Sequence, residues 1–90
     1  MTLTANEVRN IVKAAREEEI AKKRAKAEEF CNGLENTIRI CAEKQCKDTG
    51  YIETPTSITN YIAEILNNNG FDVKISTNIA TGQTSIAVAW

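Results

Sequence analysis

Histidine is absent from this 90-residue chain, and proline occurs once, as Pro55. Histidine is the commonest general base and a frequent zinc ligand, so its absence removes the most usual catalytic and metal-binding side chain. The cysteines contain no CxxC pair, and no glycine-rich phosphate loop is present. The sequence therefore predicts a protein that is not an enzyme and that has no catalytic residues, resident metal or cofactor.

Long apolar runs are also absent, so the sequence predicts no membrane-spanning segment. The formal net charge of −1 disfavours binding to nucleic acid or to an anionic membrane. An odd number of cysteines, Cys31, Cys41 and Cys46, is typical of reduced thiols, and we expect a cytoplasmic protein. Cys41 and Cys46 lie five residues apart on a predicted helix, where their side chains diverge and no bridge is expected.

One predicted helix, from Thr4 to about Lys47, occupies nearly half of the chain. Thr4 and Glu7 have the spacing of a capping box, and only Gly33 interrupts the helix-favouring residues that follow. Such a helix is roughly 65 Å long, whereas a compact domain of this size has a radius of gyration of about 12 Å. The helix must therefore protrude, fold back near Asn32-Gly33, or pack against other copies of the chain.

This helix carries two apolar stripes separated by a charged segment, and the stripes predict which parts of the helix make contacts. The first stripe is Val8, Ile11, Val12 and Ala15, and the second contains Ala27, Phe30, Cys31, Leu34, Ile38 and Cys41. Between them, Glu18 and Glu19 stand four residues before Lys22 and Lys23, a favourable ion-pair spacing. We expect a homo-oligomer assembled through this helix, with dimer, trimer and hexamer all open.

The rest of the chain predicts an α+β fold in a single domain. A second, amphipathic helix is expected over about 57–69, capped by Thr56 or Ser57 and ended by Gly70 and Phe71. Period-two alternation predicts strands over about 71–76 and 84–90, which form an antiparallel hairpin. Residues 51–53 are a candidate third strand.

The start of the second helix is the best candidate for an anion-binding site. Thr56 and Ser57 supply hydroxyls there, and backbone N–H groups at a helix N-terminus bind phosphate well. Ordinary helix capping explains the same hydroxyls, so both interpretations stay open. If the helices form a hairpin, Arg39 and Lys47 lie nearby as counter-charges, and Tyr51 and Tyr61 are candidates for stacking on a base.

Three stretches of the chain together resemble a known group of proteins. They are Thr4-Ala5-Asn6-Glu7-Val8-Arg9, Asn69-Gly70-Phe71-Asp72-Val73 and Ile86-Ala87-Val88-Ala89-Trp90. The group consists of small accessory proteins of tailed bacteriophages, which often begin Thr-Ala-x-Glu-Ala-Arg, carry a Gly-Tyr-x-Val junction and end in Ile-x-Trp; here Val8 and Phe71 replace the usual Ala and Tyr. The resemblance implies a non-enzymatic oligomer, made in the bacterial host cytoplasm, that sequesters a nucleotide immune signal. The alternative is a structural or protein-interaction module that uses the long helix as its interface.

Overall fold

A computed structural model describes residues 2–90 and confirms the predicted α+β fold. Two helices pack on one face of a three-stranded antiparallel sheet whose strand order is β1-β3-β2. The elements in chain order are α1 (Ala5–Glu43), β1 (Asp48–Thr54), α2 (Thr59–Asn68), β2 (Asp72–Thr77) and β3 (Thr84–Ala89).

Helix α1 begins as predicted, with the Thr4 hydroxyl accepting a hydrogen bond from the Glu7 N–H at 3.2 Å. It continues without a break through Gly33 for 39 residues. No residue before Ala27 is buried in the described part of the chain. Residues 5–26 of α1, here called the arm, therefore extend from the body and contact it near their C-terminal end, where Arg24 lies over Tyr61. The molecule measures 65 × 30 × 17 Å and has a radius of gyration of 17.6 Å.

The C-terminal end of α1 comes earlier than predicted, at Glu43 instead of about Lys47. Gln45 adopts a left-handed conformation with φ 63°. The Gln45 N–H donates to the Ala42 carbonyl at 2.9 Å, and the Cys46 N–H donates to the Cys41 carbonyl at 3.0 Å. These two bonds define a Schellman motif, which reverses the chain. The prediction that Cys41 and Cys46 lie on one continuous helix is therefore wrong, and the expectation that their side chains diverge loses its basis.

Strand β1 is longer than the candidate third strand and starts at Asp48, where the sequence predicted only a helix end. It pairs with β3 and forms one edge of the sheet, while β2 forms the other. A bulge lies between Asp48 and Tyr51, with Gly50 at φ +70°. The Thr49 hydroxyl accepts from the Val88 N–H at 3.2 Å and so replaces a bond that the bulge removes from the ladder. The predicted β2–β3 hairpin is confirmed.

Helix α2 ends as predicted but begins differently. The Phe71 N–H donates to the Leu66 carbonyl at 3.1 Å, and the Gly70 N–H donates to the Asn67 carbonyl at 3.0 Å, as in a Schellman motif. The predicted cap by Thr56 or Ser57 is wrong, because the helix starts at Thr59 and Ile58 holds the N-cap position without a side-chain cap bond. Ile58 is buried, so packing fixes this end of the helix.

The core lies where the second half of α1 and one face of α2 cover the sheet. Antiparallel partners share a face, so the helix-facing residues of β3 lie beside those of β1 and β2. The buried cluster consists of Ala27, Cys31, Leu34, Ile58, Ile62, Leu66, Ile86 and Val88.

Two glycines give a matched test of this fold. Gly33 lies in α1 with open space where a Cβ would be, so Gly33→Ala should raise the free energy of unfolding by about 0.5–1 kcal/mol. Gly70 has equally open space but a φ of +89°, so Gly70→Ala should lower the free energy of unfolding by about 1–2 kcal/mol. Urea unfolding measures both values. A stabilising Gly70→Ala would contradict the left-handed helix end.

Candidate functional site

The turn between β1 and α2 carries Thr56 and Ser57, the predicted anion-binding residues. The Thr56 hydroxyl lies 3.4 Å from the Gly82 carbonyl and 3.2 Å from the Thr84 hydroxyl. The Ser57 side chain is exposed and forms no hydrogen bond with any described residue. Thr56 thus binds the β2–β3 connection, and only Ser57 has a hydroxyl open to a ligand.

Most hydroxyls in this region belong to a buried threonine cluster that joins three elements. Thr54 at the end of β1, Thr59 at the start of α2 and Thr84 at the start of β3 are each 4–5% exposed. The Thr54 and Thr59 hydroxyl oxygens are 2.9 Å apart, and the Thr59 oxygen is also 2.9 Å from the Pro55 carbonyl, so the single Thr59 hydrogen has two acceptors within reach. Thr54 donates to the Thr84 carbonyl at 3.3 Å. Every buried hydroxyl therefore has a partner, and the cluster has a structural role.

The two predicted counter-charges lie away from this turn. Arg39 lines a cleft of about 380 Å³ with Ile65, Asn69 and Phe71, at the C-terminal end of α2. Lys47 precedes Asp48, which pairs with Ala89, whereas the turn follows the opposite end of β1. A seven-residue strand spans about 20 Å, so the structure does not bring Lys47 to Thr56 and Ser57.

The two tyrosines lie on different sides of the body. Tyr61 faces α1, where the Arg24 guanidinium carbon is 5.8 Å from the ring centroid in a cation–π contact. The cleft beside this pair has a volume of about 170 Å³ and is also lined by Glu28 and Glu64. Tyr51 pairs with Ala87 on the sheet face away from the helices and is 63% exposed. The six predicted site residues therefore form no single site.

Carboxylates weaken the electrostatic case for a phosphate in either arginine cleft. Arg24 faces two carboxylates, Glu28 and Glu64, and Arg39 shares its cleft with Glu35. The formal charge of the lining residues is thus −1 in the first cleft and zero in the second. A phosphate in either cleft of a single protomer would meet at least one carboxylate.

The arm presents a different surface, which is both apolar and basic. Half of the exposed large hydrophobic residues of the described chain precede Ala27, and Ile11 is 60% exposed. A shallow groove of about 430 Å³ follows one side of the arm and carries three basic residues and one acidic residue. Such an exposed apolar stripe with a charged rim marks an interaction site. The groove is lined by Val8, Arg9, Val12, Lys13, Arg16, Glu17 and Ile20.

Cys31 is the least available of the thiols. Its Sγ lies 3.9 Å from the Ile62 carbonyl in the contact between the helices. Burial, together with the nearby Glu28 carboxylate, raises the pKa of the Cys31 thiol. The thiolate is the nucleophilic form of cysteine, so Cys31 is suited to packing and not to covalent catalysis.

Because the threonine cluster has a structural role, removing a hydroxyl inside it should destabilise the protein more than removing a hydroxyl outside it. Thr59→Val keeps the side-chain shape but removes the contacts of the Thr59 hydroxyl with the Pro55 carbonyl and the Thr54 hydroxyl, which keep the Ile58 N–H and the Thr84 carbonyl as their remaining partners. It should lower the free energy of unfolding by about 1–3 kcal/mol. Ser57→Ala removes an exposed hydroxyl and should change the free energy of unfolding by less than about 0.5 kcal/mol. Thermal and urea unfolding compare the two, and equal effects would contradict the assigned role.

Comparisons of the chain with models of protein families, with curated proteins and with solved structures find no match. Over residues 2–90, no helix has both the length and the apolar character needed to cross a bilayer. The same residues contain no group of three or more side chains placed to hold a metal ion. Functional inference for this chain therefore starts from its own surfaces, among which the arm is the most unusual.

Proposed function

We propose that this protein is a non-enzymatic binding module that assembles with itself through the arm. The observation that supports this proposal is the exposed stripe of Val8, Ile11 and Val12 on a helix that protrudes from the body. An isolated apolar side chain on a surface is ordinary, but side chains at i, i+3 and i+4 form one continuous face. Burial of each such side chain contributes about 1.5–3 kcal/mol.

The spacing of the apolar residues favours a second copy of the chain as the occupant of this face. In an antiparallel pair of arms centred between Ile11 and Val12, the two apolar stripes coincide. A two-fold interface is self-complementary in this way.

The size of the arm indicates that a single pair of arms makes only part of the interface. Twenty-two helical residues span about 33 Å, and one side of a helix that long offers roughly 500–600 Å². Stable interfaces bury about 800 Å² on each partner. We therefore propose that more than two arms associate, or that the body adds contacts beside Ile20 and the charged segment that follows it.

A charge placed in the stripe should disrupt this assembly. Ile11→Glu keeps a good helix former but puts a carboxylate where apolar side chains meet, so it should weaken self-association by at least about tenfold to a hundredfold. Asn10→Glu is the matched control, because Asn10 is exposed on the opposite side of the same turn and the change in charge is the same. Light scattering at micromolar concentration measures the mass of each protein.

We expect a multiple of the 10.0 kDa chain mass for the original protein and for Asn10→Glu, and a smaller mass for Ile11→Glu. A monomeric original protein would rule out the proposal. If the two variants formed equally small assemblies, this would show that added negative charge, and not the apolar stripe, controls assembly.

The finer proposal is that the oligomer is a phage protein of the host cytoplasm that sequesters a nucleotide signal. Its support is the resemblance of the sequence to small phage accessory proteins, together with two arginine–aromatic pairs, Arg24 with Tyr61 and Arg39 with Phe71. In such a pair, the guanidinium can donate hydrogen bonds to a phosphate, and the aromatic ring can stack on a base. Since both clefts contain carboxylates, added basic residues from a second copy, such as Lys13 and Arg16, are part of this proposal.

Ligand depletion tests the finer proposal and its link to assembly. The protein is incubated with cyclic dinucleotides, cyclic trinucleotides and cyclic ADP-ribose variants, and the free ligand is measured after filtration. If copies share the site, the original protein and Asn10→Glu should deplete one ligand, and Ile11→Glu should not. If an assembled original protein depletes none of these compounds, the alternative stands: a phage structural or protein-interaction module with the arm as its interface.

A further inference from the structure

Cys41 and Cys46 lie on either side of the reversal that ends α1. The Cys46 N–H donates to the Cys41 carbonyl at 3.0 Å. In a Schellman motif these are the C″ and C3 positions, whose side chains frequently pack together. Standard bond lengths added to this hydrogen bond limit the separation of the two Cα atoms to about 7.2 Å. Bond angles shorten it further, into the range of about 4.4–6.8 Å that a disulfide spans.

The two thiols are also accessible, unlike the third. Cys46 is exposed and Cys41 is half-buried, whereas Cys31 is buried against α2. All three cysteines are reduced in the structure. A thiol reagent therefore reaches Cys46 first, with Cys41 next to it and Cys31 out of reach in the core.

We propose that Cys41 and Cys46 form a redox-active dithiol that a small external disulfide, such as oxidised glutathione, converts into an intramolecular disulfide. The Cys46 thiolate attacks one sulfur of the reagent, forms a mixed disulfide and releases one glutathione thiolate. The Cys41 thiolate then attacks the Cys46 sulfur, and the second glutathione thiolate leaves. The protein loses two protons and two electrons, and one disulfide is reduced to two thiols.

The bond would close a small loop at the junction between α1 and β1. Strand β1 begins at Asp48, two residues after Cys46, and the other end of α1 continues into the arm. The disulfide would hold Gln45 in its left-handed conformation and fix the angle at which α1 leaves the sheet. This inference does not depend on self-association. In a reducing compartment such a bond is transient, as expected of a redox-responsive site.

Oxidation of the full chain, followed by alkylation in denaturant and intact mass measurement, tests the proposal. With oxidised glutathione we expect a monomer chain that has lost two hydrogen atoms, carries one alkyl group on Cys31 and retains no glutathione. Cys41→Ser is the control and should retain one glutathione on Cys46, because no neighbouring thiol displaces it. Accumulation of the Cys46 adduct in the original protein, or of chains linked to one another through Cys46, would overturn the proposal.

The conformation of Gln45 provides a second measurement. Gln45→Gly keeps the left-handed position without strain, whereas Gln45→Val disfavours it, because β-branched residues rarely adopt positive φ. At a fixed concentration of oxidised glutathione, the glutathione concentration needed to reduce half of the disulfide should be about two- to fivefold higher for Gln45→Gly than for Gln45→Val, since reduction consumes two glutathione molecules. Amide exchange of both reduced variants confirms that the body is folded. Equal values would mean that the Schellman motif does not bring the thiols together.

Discussion

The fold depends on one short contact, in which small and medium side chains of α1 are buried against α2 and the sheet. Ala27 is fully buried, and its small side chain allows the helix to approach its neighbours closely. Cys31 and Leu34 continue the same face toward Ile62, and Ile86 and Val88 complete it from the central strand. A two-stranded hairpin alone is marginal in water, and stability requires a third strand with an apolar face or packing against a helix. This sheet has both, because the two helices cover its apolar face.

The same contact explains how the arm stays helical without a core of its own. Isolated helices of this length are marginal because nucleation is costly, but the anchored half of α1 has already formed its turns. Each further residue of the arm then extends a helix that already exists and adds one hydrogen bond, without a new nucleation cost. Ion pairs of Glu18 with Lys22 at 3.3 Å and Glu19 with Lys23 at 3.2 Å add a few tenths of a kcal/mol each. The Thr4 cap opposes fraying at the free end.

Features that depend on neighbours in sequence were predictable here, and features that depend on tertiary pairing were not. The Thr4 cap and the helix end at Gly70 follow from local residues with strong positional preferences. The end of α1 has no such signature, because a glutamine takes the left-handed position usually held by glycine. The separation of Arg39 from Ser57 could not be read from the sequence, since it depends on which end of α2 packs against α1. Thr84 joins the threonine cluster only because β3 pairs with β1.

The position of β3 at the centre of the sheet also sets an order of events in folding. Both of its neighbours precede it in the sequence, and β1 must wait about thirty residues for its partner, as the Thr54–Thr84 contact shows. Until β3 is synthesised, β1 and β2 each expose two unpaired edges, and α2 has no sheet to cover. The arm has no such dependence, because its hydrogen bonds are all local. During synthesis the chain therefore presents a helix first and completes its body in one late step, which is slower than local helix formation because it closes long loops.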